Sequence, residues 1–109
     1  MRLLLVALLS FFNGYLGAQN TIVAHLVNVD SAWANNSVNA VIFRKNSLVT
    51  FRDTQYIAFY NKDRFVVLGK RKSGAEKWQL KTTAYRGNAA DAHNTISIMV
   101  DGEGYLHIA

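Results

Sequence analysis

The amino-acid sequence predicts an all-β protein, an antiparallel meander of short strands behind a leader segment. Three observations support this. Runs rich in β-branched and aromatic residues recur about every ten positions, punctuated by Asn, Asp, Ser and Gly. Near the end, Asp101-Gly102-Glu103-Gly104 separates Ile96-Ser97-Ile98-Met99-Val100 from Tyr105-Leu106-His107-Ile108-Ala109. Asp-Gly between two such runs marks a tight hairpin, because Gly supplies the positive φ the turn demands. Finally, the chain has no Pro, and no helical period follows its first segment.

Arg2 and the apolar run Leu3 to Phe12, followed by Asn13-Gly14 and the small pair Gly17-Ala18, have the pattern of a secretory signal peptide. The run is too short for a comfortable membrane span. Residues 1–18 are therefore expected to be removed on export, leaving a secreted or periplasmic protein with no stable span. An uncleaved anchor is the rival reading. The 109 residues contain no Cys, so the small core has no disulfide to support it. The net charge is +5, and eleven of the twelve basic residues lie between Arg44 and Arg86. This block is compatible with an anionic partner, an acidic polysaccharide, an anionic lipid or, least expected for an exported chain, nucleic acid, while solvated strand faces and turns are the preferred plain reading.

Residues 19–37 form an N-terminal extension, in which Ile22 to Val27 is expected as a first strand and the Asn/Ser cluster as a loop. Residues 38–109 form the meander. Its expected strands are Val38 to Phe43, Leu48 to Phe51, Gln55 to Tyr60 and Phe65 to Leu68. Gly69 to Lys77 reads as a basic loop and Trp78 to Tyr85 as the next strand. Arg86 to Asn94 is a polar loop leading into the hairpin. The central runs Tyr56 to Tyr60 and Phe65 to Leu68 are apolar on both faces, as in strands covered from both sides. A β-propeller blade packed between neighbours is such a case. Residues 38–109 are thus read as one blade and the start of the next. The last strand stops within its own apolar pattern, so the protein is expected to continue past residue 109.

The segment Tyr56 to Lys72 resembles the blade hairpin of secreted BNR-repeat-containing proteins. Ser73-Gly74-Ala75-Glu76-Lys77-Trp78 is similar to a degenerate Asp-box that lacks its Asp. Asp91-Ala92-His93-Asn94 with the terminal hairpin is similar to the start of a second blade in that family. The resemblance implies a multi-bladed propeller. Some members resemble ulvan-lyase-type polysaccharide lyases, in which a His at this place borders the substrate groove, and His93 matches it.

On that resemblance, the implied function is that of an exported carbohydrate-active propeller, with a polysaccharide lyase acting on uronate glycans by β-elimination as the implied activity. His93 is the candidate catalytic residue, because imidazole ordinarily titrates near 6.5 and can serve as a base. Asn94 is the candidate substrate-binding residue. A non-catalytic propeller that binds glycans or proteins is the alternative, and a self-contained basic β-domain the third reading. Asp91 to Asn94 also reads as an Asx-type turn that merely satisfies loop backbone. His25 is expected at the surface or in a structural role, and His107 packed on a strand face. Trp33, Trp78 and the tyrosines read as core fillers. No metal cluster, phosphate loop or Ser-nucleophile motif occurs, and no cofactor is assigned.

Overall fold

The computed structural model describes residues 22–35 and 46–109. The expected leader at 1–18, the strand expected over Val38 to Phe43, and Arg44 and Lys45 lie outside the described residues.

Four strands form an antiparallel meander: β1 (Leu48–Phe51), β2 (Thr54–Tyr60), β3 (Phe65–Lys72) and β4 (Gln79–Arg86). Two further strands, β5 (Ile98–Val100) and β6 (Leu106–Ile108), pair as a separate hairpin. The described part is all-β, and the four-stranded meander with a second sheet begun beside it has the organisation of a propeller blade.

Each connection has a local chemical cause. Arg52-Asp53 joins β1 to β2 as a two-residue turn, with Arg52 at φ 54°. Asn61 organises the β2–β3 connection: its Oδ1 accepts the Asp63 and Phe65 amides, and its carbonyl accepts the Arg64 amide. Arg64 sits at φ 68°. In the β5–β6 turn, Asp101 Oδ1 accepts the amides of Glu103 and Tyr105, and Gly104 takes φ 95°.

Neighbouring residues of the central strands are buried in pairs: Ala58 with Phe59, and Val66 with Val67. Successive strand residues point to opposite faces, so this pairing means that both faces are covered. On one face Ala58 and Val66 cluster with Ile96 and Ile98 from the hairpin side, with Val49, Tyr56, Tyr60, Leu68 and Leu106 packed around them. Burying a Val, Ile or Phe side chain contributes about 1.5–3 kcal/mol. The two sheets are also stitched by main chain, since the Ile98 amide donates to the Asn46 carbonyl at 2.7 Å beside β1.

Two expectations are corrected. Ile22 to Val27 forms no strand, and Ile22, Val23 and Leu26 are 85–91% exposed. Apolar composition alone does not make a strand where no neighbour supplies a ladder. The expected loop from Gly69 is a continuation of β3 to Lys72. Gly69 is the residue that permits it: a β-carbon there would lie 2.7 Å from both Ile57 Cγ2 and Leu80 Cδ2. These side chains, from the paired strands on either side, close over the bare backbone.

Candidate functional site

The polar loop between β4 and β5 holds both candidate site residues, and β2 positions it. The Gly87 amide donates to the Arg64 carbonyl at 3.0 Å, bringing the loop back over the β2–β3 end of the sheet. There Gly87 lies against the Tyr60 ring so closely that a β-carbon would meet it at 2.2–2.5 Å. Tyr60 in turn donates its hydroxyl to Asn94 Oδ1 at 3.3 Å. The same oxygen accepts the Asn88 amide, so Asn94 clamps the two ends of the loop to a β2 side chain.

Within the clamp, Asp91 organises His93. Asp91 Oδ1 accepts the His93 amide at 2.9 Å and lies 3.0 Å from His93 Nδ1. The first bond is the Asx turn expected from the sequence. The second makes Nδ1–H the donor toward the carboxylate, which leaves Nε2 as the basic nitrogen of the neutral ring. The His93 side chain is 96% exposed, against 47% for Asp91. The His93 backbone amide, and then its ring, hold the Asp91 carboxyl below its ordinary range. The structure therefore brings His93 to Asp91 and places Asn94 in the framework of the loop. An oriented imidazole in this setting can accept a proton from a ligand resting on the loop, and any hydrogen bond from Asn94 to a ligand oxygen must come from its amide nitrogen.

A second Asp–His pair lies on the terminal hairpin. His107 Nε2 is 2.8 Å from Asp101 Oδ2, and the carboxyl of Asp101 is lowered first by His107 and then by the Tyr105 amide. The expectation of a packed His107 is corrected, because its side chain is 55% exposed. Its ring serves the turn. Register explains the contact: Met99 faces His107, so Asp101, two residues further along, lies diagonal to it on the same face. That signal was present in the Asp-Gly turn spacing.

The remaining candidates disperse. His25 is exposed in the 22–35 segment. The core reading is corrected for Trp33, Tyr85 and Tyr105, which are at least half exposed, whereas Tyr56 and Tyr60 pack against the core. Trp78 is partly buried beneath the Arg71 guanidinium, 4.8 Å from its ring. Among the described residues no group of three or more His, Asp or Glu could hold a metal ion, and no helix is long and apolar enough to cross a membrane.

Residues 54–109, just over half of the chain, match the family profile described as "BNR repeat-containing family member". No curated protein matches the chain.

Proposed function

The chain belongs to the BNR repeat-containing family, and from that membership we propose that it is part of an exported carbohydrate-active β-propeller that cleaves uronate-containing glycans by β-elimination. The observation that carries this reading is the Asp91–His93 pair, which orients an exposed imidazole with Nε2 outward. In the proposed step, Nε2 removes the proton from the carbon beside the uronate carboxylate. The electron pair left behind forms a carbon–carbon double bond as the glycosidic carbon–oxygen bond breaks. The departing oxygen takes a proton from an acid that the described residues do not identify. Asn94 donates its amide to a sugar oxygen, and Asp91 holds the ring and stabilises the imidazolium once it forms.

A second reading also has its own observation. Asp91 and Asn94 spend side-chain oxygens on loop amides, as they do in a purely structural turn. On that reading the protein binds glycans without cleaving them. The full-length protein, incubated with an acidic algal polysaccharide, separates the two. Cleavage appears as ultraviolet absorbance of the unsaturated uronate, lost in His93→Gln and lowered in kcat more than in KM in Asp91→Asn. Glycan binding without new absorbance rejects the lyase and retains the binding module.

A further inference from the structure

We infer that the end of the sheet remote from His93 carries a separate anion-binding cleft that anchors an acidic polysaccharide. The cleft, of ≈ 440 Å³, is bordered by Thr54, Tyr56, Lys70, Lys72, Lys77 and Gln79. The strand register explains how it is made. Tyr56 faces Lys70, and Lys70 faces Gln79, so one row crosses three strands; Thr54 faces Lys72 in the row beside it. Residues two apart on a strand share a face and stand about 7 Å apart. Lys70 and Lys72 therefore project from one side, with Tyr56 beside them, and Lys77 joins from the β3–β4 loop.

The same sheet face thus has two chemistries. Toward the β2–β3 turn it presents Ala58, Val66 and Leu68 to Ile96, Ile98 and Leu106 as core. Toward the other end it becomes cationic and open. Lys72 is paired with Asp53 at 2.6 Å. Lys70 and Lys77 are exposed and make no ion pair among the described residues. Arg71 and Ala75 complete the border, and the Arg71 guanidinium is held by Gln55, the Ala75 carbonyl and the Trp78 ring.

The composition selects the occupant. Two ammonium groups without an ion-pair partner among the described residues meet carboxylate or sulfate, the Tyr56 ring offers a surface to a pyranose, and Thr54 and Gln79 suit sugar hydroxyls. None of the strongly exposed large apolar residues borders the cleft, which disfavours a lipid surface. A single aromatic ring is a poor stacking platform for successive nucleic-acid bases. The cleft is also distinct from the His93 loop. That loop follows Arg86, which faces Phe65 at the other end of the sheet. The seven residues of β2 put about 20 Å between the two ends.

The choice of a glycan rests on the carbohydrate reading above, so the test has to separate the two. The full-length protein and its Lys70→Gln/Lys77→Gln variant are titrated with ulvan, neutral dextran, single-stranded DNA and anionic phospholipid vesicles. Removing two phosphate-type contacts lowers the slope of log K against log salt by about two for a polyelectrolyte. We expect ulvan affinity to fall about tenfold with a shallower salt slope, and dextran to stay unbound. The Lys70→Arg/Lys77→Arg variant retains affinity. Unchanged ulvan binding in the Gln variant overturns the cleft, as does DNA or vesicle binding that exceeds ulvan and depends on the same lysines. Loss of turnover in His93→Gln with the cleft effect absent rejects the cleft alone. A cleft effect without any turnover rejects the lyase alone.

Discussion

Gly87 packs its backbone against the hydroxyl end of the Tyr60 ring: a β-carbon on Gly87 would fall 2.2 Å from the Tyr60 hydroxyl oxygen. That contact is what lets one tyrosine on β2 reach Asn94 and hold the loop carrying His93.

Gly87→Ala is expected to displace the Tyr60 ring and break its bond to Asn94. Overpacking of this kind costs about 1–3 kcal/mol. Urea denaturation reads the loss, and amide exchange at Asn88 and Asn94 should speed up with it. Tyr60→Phe, which removes only the hydroxyl, should cost about 1 kcal/mol. Equal stability of Gly87→Ala and the parent would mean the close approach has no structural role.

Gly69→Val tests the middle of the sheet. Its added carbons enter the space occupied by Ile57 Cγ2 and Leu80 Cδ2. Leu80 is 37% exposed and can swing outward, but Ile57 is β-branched and stiff at χ1. A loss of about 1–3 kcal/mol is expected in thermal or urea unfolding. A neutral result would show that β3 yields at this position.

Acid should release the two Asp–His pairs. Asp91 and Asp101 have folded-state pKa values lowered from 3.8. For a depressed carboxyl, the unfolded state binds more protons as pH falls, so the stabilising contribution is present above the unfolded value. It is lost as pH drops below 3.8 through the lowered values. Carboxyl carbon shifts followed by NMR should titrate below 3.8 at both residues, and the His93 amide shift should follow Asp91. Titration of Asp91 at or above 3.8 contradicts the Asx-turn geometry.

Lys72 and Asp53 lie 2.6 Å apart, yet their side chains are 68% and 69% exposed. Such pairs are screened by water and salt. Lys72→Met is therefore expected to leave the unfolding midpoint unchanged at physiological salt. A clear drop would mark the pair as part of a larger network at the base of the cationic cleft.

Much of the architecture was legible because strand and turn chemistry were local. Leu48–Phe51 is bounded by Ser47 and by Arg52-Asp53, and the Asp-Gly turn marks the last hairpin. The paired apolar residues of β2 and β3 reveal two covered faces. Ile22 to Val27 misled because apolar residues form a strand only beside a partner. Gly69 misled because glycine usually interrupts a strand, whereas here it makes room for two neighbours. At the site, His93 and Asp91 were readable as an Asx motif. The Tyr60–Asn94 clamp was not, since the two residues are 34 apart in sequence and meet only through the return of the loop across the sheet. Register likewise conceals the Tyr56–Lys70–Gln79 row until the strands are paired.

The stitch between Ile98 and Asn46 has a kinetic consequence. Every strand pair in the meander joins chain neighbours, so the four-stranded sheet can assemble by successive local loop closures. The contacts of Ile96 and Ile98 with Ala58 and Val66 span a much longer stretch of chain, and their closure entropy is met only after the sheet exists. The terminal hairpin should therefore dock late. Truncating Ile98 to Val should accelerate unfolding in a chevron measurement while leaving the refolding limb nearly unmoved.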